Sequence, residues 1–69
     1  MVNTVNQKYE REYLVRLRNK FDKDVIYDGM LLKENNEELA INKYKMFRAN
    51  YIDFEHNKTI MITVEEYKE

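Results

Sequence analysis

Glu12-Tyr13-Leu14-Val15-Arg16-Leu17-Arg18 is the stretch on which the fold turns. Two periodicities compete for it. With its neighbours it continues a series, Val5, Tyr9, Tyr13, Leu17 and Phe21, that recurs every four residues and predicts a helix from Thr4 to about Phe21, with Thr4 and Gln7 at capping-box spacing. Taken alone it alternates. A helix ending near Glu12 would leave Tyr13 to Arg18 as a strand, with Tyr13, Val15 and Leu17 inward and Arg16 and Arg18 outward. Leu14 interrupts the alternation and Val15 interrupts the helical arc; the helix is the preferred reading.

Downstream, Val25-Ile26-Tyr27-Asp28-Gly29-Met30-Leu31-Leu32 carries β-formers on both sides of Asp-Gly, which reads as a hairpin or a bulged strand, with Gly29 serving backbone freedom. From Asn35 the apolar residues Ala40, Ile41, Tyr44, Phe47 and Tyr51 fall on one arc of a helix. Asn35 or Asn36 would cap it, Glu37 and Glu38 occupy its first turn, and Lys43, Lys45 and Arg48 follow, an order that complements the helix dipole. The competing reading makes Asn35-Asn36 a hairpin turn and Leu39 to Ile41 a strand. Last, Ile52 and Phe54 alternate with Asp53 and Glu55, and Ile60, Ile62 and Val64 alternate with Met61 and Thr63. This predicts a terminal hairpin across His56-Asn57-Lys58, with Glu65 to Glu69 as a solvated tail. The expected fold class is α+β: one or two helices on an antiparallel sheet of 3–5 strands, ending in a C-terminal β-hairpin.

With 69 residues and neither proline nor a low-complexity linker, the chain reads as a single domain over 1–69. A chain this short buries only about 60% of its unfolded surface, and a core of this size rarely supplies more than about 3–5 kcal/mol. The absence of cysteine removes disulfides, and a lone His56 removes the usual four-ligand zinc site. Stabilisation by a homodimer or by a partner is the remaining route, so a melting midpoint that depends on concentration is expected. No apolar run approaches the roughly 18 residues of a membrane span, and the first residues lack a signal-peptide pattern, so a cytoplasmic location is expected.

The ingredients for catalysis are poor. The chain has no cysteine and no serine, and Thr4, Thr59 and Thr63 are the only aliphatic hydroxyls, so nucleophilic triads are excluded. His56 falls in a predicted turn, and the adjacent carboxylates Glu37-Glu38 and Glu65-Glu66 do not converge on one face. No catalytic residue, cofactor or metal is expected.

Charge is segregated. Twelve Lys+Arg balance 13 Asp+Glu, yet between Leu39 and Ile52 there is no acid, while Lys43, Lys45 and Arg48 interleave with Tyr44, Phe47 and Tyr51. Cations among aromatics suit nucleic acid, but helical geometry places the aromatics and most of the cations on different faces, and a pI of 5.8 is far from the range above about 9 typical of binders. Asp53 to Glu69 is instead acidic. If Asp53, Glu55 and Glu65 gathered on one hairpin face, they would steer the domain toward a basic groove on a nucleic-acid-handling protein. Leu39 and Met46, off the helical arc, and Met61, off the Ile60/Ile62/Val64 face, are the candidate apolar contacts.

Ile26-Tyr27-Asp28-Gly29-Met30-Leu31, followed by Asn35-Asn36 and Leu39-Ala40-Ile41, resembles the first half of an Sm-like RNA-binding barrel over about 16 residues. That resemblance implies an alternative fold, an N-terminal helix plus a small Sm-like β-barrel. The second Sm signature, a glycine-containing strand near the end, is absent, and no site is transferred. In length and in its Lys/Asn/Ile/Tyr bias the chain also resembles small phage proteins that bind and disable a host protein. The expectation is a non-catalytic inhibitor or modulator of a larger protein, with a nucleic-acid-binding regulator using Lys43, Lys45 and Arg48 as the second reading.

Overall fold

A computed structural model describes residues 11–68. The chain order is β1 (Arg11–Asn19), β2 (Ile26–Glu34), α1 (Glu37–Arg48) and β3 (Ile60–Glu66). The strands form one antiparallel sheet in the order β2-β1-β3, with α1 packed on one face. Both outer strands oppose β1, so they run parallel to one another, and α1 supplies the crossover that such strands need.

The alternation in the deciding stretch prevails over its helical spacing. Tyr13, Val15 and Leu17 are buried, and Leu32 and Met30 on β2 with Val64 and Ile62 on β3 lie beside them in register. The physical reason is position. β1 is the central strand, and aromatic and β-branched residues at period two fill its helix-facing side. Leu14, which breaks the pattern, sits opposite Leu31 on the other face of the sheet. The predicted helix is therefore corrected over residues 11–19, and Phe21, expected on its apolar arc, lies in the turn after β1 with 78% of its surface exposed. The remainder of that helix, with the Thr4 and Gln7 cap, lies outside the described residues.

The first hairpin turns at Lys20–Val25 and not at Asp28-Gly29. Asn19 Oδ1 accepts from the N–H groups of Phe21 and Asp22, Asp22 Oδ1 from that of Asp24, and Asn19 N–H donates to the Val25 carbonyl. These side-chain acceptors substitute for ladder bonds and close the turn. The Asp-Gly stretch is instead a bulged strand. Leu17 pairs with Asp28 and Arg18 with Ile26, which leaves Tyr27 as the extra residue. Gly29 has no left-handed backbone angle, and a methyl group there would meet only ordinary contacts with the Val15 carbonyl and Arg16 Cγ, so the expected backbone requirement is absent.

The helix follows its sequence signals. Asn36 is extended and its Oδ1 accepts from Leu39 N–H at 2.9 Å, with Glu37 and Glu38 in the first turn and Lys45 and Arg48 in the last. Ala40 and Tyr44 face the sheet; the small Ala40 permits close approach, and the Tyr44 ring meets Phe54 edge-on at 5.8 Å between centroids. This order, two strands before the helix and one after, forms an open sheet, so the barrel alternative is not realised among the described residues.

The C-terminal hairpin is also corrected. Ile52 and Phe54 do pack inward against the core, but through successive turns and not a strand. Asp53 accepts from Asn57 N–H through its carbonyl and from His56 N–H through its side chain, and Asn57 Oδ1 holds Thr59 N–H. The Ile52 N–H donates to the Arg48 carbonyl and the Asp53 carbonyl is taken by Asn57, so these groups are engaged locally, and β3 pairs with β1 instead. Glu65 and Glu66, read as tail, are the last residues of β3.

Candidate protein-binding surface

The bulge places Tyr27 beside Asp28 on the helix side of the sheet, where strict alternation would send it to the opposite face. From there Tyr27 Oη accepts from Asn19 Nδ2 at 2.8 Å. Tyr51 stands across from it, just past the end of α1, where the N–H groups of Tyr51 and Ile52 both donate to the Arg48 carbonyl. Between the two rings lies a depression of about 450 Å³, floored by Leu17 and Ile52 and edged by Asp28 and Arg48. Tyr27 is 53% exposed and Tyr51 82%.

A charged knot fixes the side of this depression. Tyr44 Oη donates to Asp28 Oδ2 at 2.8 Å, and Arg48 Nε donates to the same oxygen at 2.7 Å, with the guanidinium 5.9 Å from the Tyr44 ring centroid. The Arg48 hydrogen bond holds the Asp28 carboxyl below its ordinary range, while burial and the Asp28 carboxylate push the Tyr44 hydroxyl far above its own. Arg48 is held protonated by Asp28 in turn. Arg48 lines the depression, and its bond to Asp28 runs through Nε, which leaves the terminal amino groups as further donors.

Tyr51 also borders a second groove of about 720 Å³ between the last turns of α1 and the loop that follows, lined by Lys45, Met46, Asp53, Phe54 and Glu55. Met46 is 74% exposed. Three of the sequence candidates, Met46, Asp53 and Glu55, thus share one surface with Tyr51. The others do not join it. Glu65 lies on the far face of the sheet, 3.7 Å from Arg16 Nη1. Leu39 is exposed two turns earlier on α1, and Met61 opposes Arg18 on the far face of the sheet. The acidic cluster of Asp53, Glu55 and Glu65 is therefore not assembled, because the hairpin that was to align it does not form.

The three cations of the second reading are dispersed as well. Lys43 Nζ pairs with Glu34 on β2, Arg48 with Asp28, and Lys45 turns toward the opposite side of α1, above β3. His56 Nδ1 lies 3.0 Å from Asp53 Oδ2 in the exposed loop. Tyr27 and the orientation of Tyr51 were not legible as site features. The aromatic at the bulge was a signal, since a bulge re-aims a side chain; Tyr51 was assigned to a helical arc that ends three residues before it. No helix among the described residues is long and apolar enough to cross a membrane. Comparison with protein-family models, curated proteins and solved structures returned no match.

Proposed function

We propose that the chain is a non-catalytic binding protein that docks on a larger protein through the surface around Tyr51, blocking or modulating the site it covers. One observation carries this reading: Tyr27, Met46 and Tyr51, three large and well-exposed side chains, converge with Arg48 on two adjoining depressions. Tyrosine and arginine dominate binding energetics at protein interfaces, because rigid amphipathic rings and a planar donor fork lose little entropy on contact. Asp53 and Glu55 at the rim favour a partner with basic residues there, through steering more than through affinity. The hydroxyl and carboxylate most closely coupled to one another, Tyr44 and Asp28, are engaged in holding helix to sheet, which supports a binding role over a catalytic one.

The test is comparative capture. Proteins retained by the immobilised wild-type chain should be lost with Tyr27→Ala/Tyr51→Ala and kept with Lys43→Glu, whose partner Glu34 lies at the opposite end of β2 from Tyr27. Equal retention by the double tyrosine variant would sink the reading. A capacity to bind bulk DNA or RNA that falls steeply with salt would favour the nucleic-acid alternative, since phosphate contacts release counterions.

A further inference from the structure

We propose that the outer edge of β3 pairs with the same edge of a second copy of this chain, antiparallel about a two-fold axis at Ile62. Lys20 N–H donates to the Thr59 carbonyl at 2.7 Å, and Tyr67 N–H donates to the Glu12 carbonyl at 2.8 Å. Odd-numbered residues along β3 thus turn their main-chain groups to β1. Ile60, Ile62 and Val64 turn theirs outward, because alternate residues of a strand address opposite neighbours. Among the described residues no strand lies beyond β3.

The two edges of the sheet are treated differently. β2 carries the devices that discourage pairing: the bulge at Tyr27, the inward charge of Asp28, and Lys33. From Ile60 to Val64, β3 carries none of them. Ile60-Met61-Ile62-Thr63-Val64 is uncharged, free of proline and glycine, and rich in β-formers, the composition of a segment that pairs when left open. Its helix-facing side chains are also half-covered, and a groove of about 330 Å³ runs between it and α1, lined by Ile41, Phe54 and Ile62.

A second copy fits this edge because the edge complements itself. With Ile62 opposite Ile62 of the copy, Ile60 meets Val64, Met61 meets Thr63, and Lys58, in the turn that leads into β3, comes beside Glu66, each twice by symmetry. Both helices then lie on the same face of a continuous six-stranded sheet. Moving the register by one pairing step either way sets Lys58 against Val64 or Ile60 against Glu66, so the charges select the central register. The contact is isologous and closes on itself, which gives a dimer and not a filament.

Equilibrium sedimentation of the full chain should show a monomer–dimer equilibrium. Lys58→Glu and Glu66→Lys, both at solvent-exposed positions, should each weaken the dimer about tenfold, and the double exchange should restore it. Because the chain has no native cysteine, Ile62→Cys should form a covalent dimer on mild oxidation, whereas Leu31→Cys on β2 should not. A monomer at every concentration overturns the proposal. So does a double exchange that fails to restore association, or cross-linking through Leu31→Cys in place of Ile62→Cys. Circular dichroism of each reduced variant, matching the wild type, separates lost pairing from lost fold.

Discussion

The Tyr44 hydroxyl donates 2.8 Å to the Asp28 carboxylate, joining the middle of α1 to the strand residue beside the bulge. Tyr44 is fully buried, so this bond satisfies the one polar atom that the helix brings into the core. Tyr44→Phe should cost about 1–2 kcal/mol in urea unfolding with an unchanged m-value. Asp28→Ala should cost more, since it strands the hydroxyl without an acceptor. A larger loss from Tyr44→Phe than from Asp28→Ala would count against the bond as the anchor.

Stability should fall in acid through the same group. Asp28 is held below its ordinary range chiefly by the Arg48 hydrogen bond, so its folded value lies beneath its unfolded one. Its contribution is then complete above the unfolded carboxylate value of about 3.9 and disappears as pH drops through the folded value. The urea midpoint of the wild type should decline below about pH 4 more steeply than that of Asp28→Asn. Parallel pH profiles for the two proteins would exclude Asp28 as the source.

Gly29 offers a test of opposite sign. It lies within β2 at an ordinary strand conformation with room for a methyl group, so Gly29→Ala should raise stability by about 0.4–1 kcal/mol, through a less flexible unfolded chain. A lower melting temperature for this variant would refute the conformational reading given above.

The cap and the core bracket the scale of ordinary mutations. Asn36→Ala removes the acceptor for Leu39 N–H and should cost about 1 kcal/mol. Val15→Ala opens space at a fully buried position and should cost about 2 kcal/mol. Tyr51→Ala, by contrast, should move the unfolding midpoint little while weakening partner capture, because its ring is mostly in water.

The dispersal of the acidic residues divides a single electrostatic expectation in two. Asp53 and Glu55 border the groove at Met46 and Tyr51, whereas Glu65 faces Arg16 on the far side of the sheet. Asp53→Lys/Glu55→Lys should slow association with the partner and reduce its salt dependence, and Glu65→Lys should leave both nearly unchanged. Equal effects from the two sides would place the contact elsewhere.

Where backbone partners are chosen locally, the sequence by itself determined the outcome. Asn36 followed by Glu37-Glu38 and an apolar arc dictated a capped helix, and the alternation of Ile60, Ile62 and Val64 dictated a strand, since each pattern satisfies its own nearby donors and acceptors. The inward placement of Ile52 and Phe54 was legible for the same reason, from their spacing alone. Only the tertiary structure decided whether Tyr13, Val15 and Leu17 would follow a period of two or of four. Both periods bury apolar residues equally well in isolation, and the choice falls to the sheet because β1 finds a ladder on each side, β2 and β3, from segments distant in the chain. The same long-range pairing took Ile60–Val64 away from Ile52–Phe54, scattered the acidic residues, and raised Tyr27 and Tyr51 over one depression, a juxtaposition that no local pattern encodes.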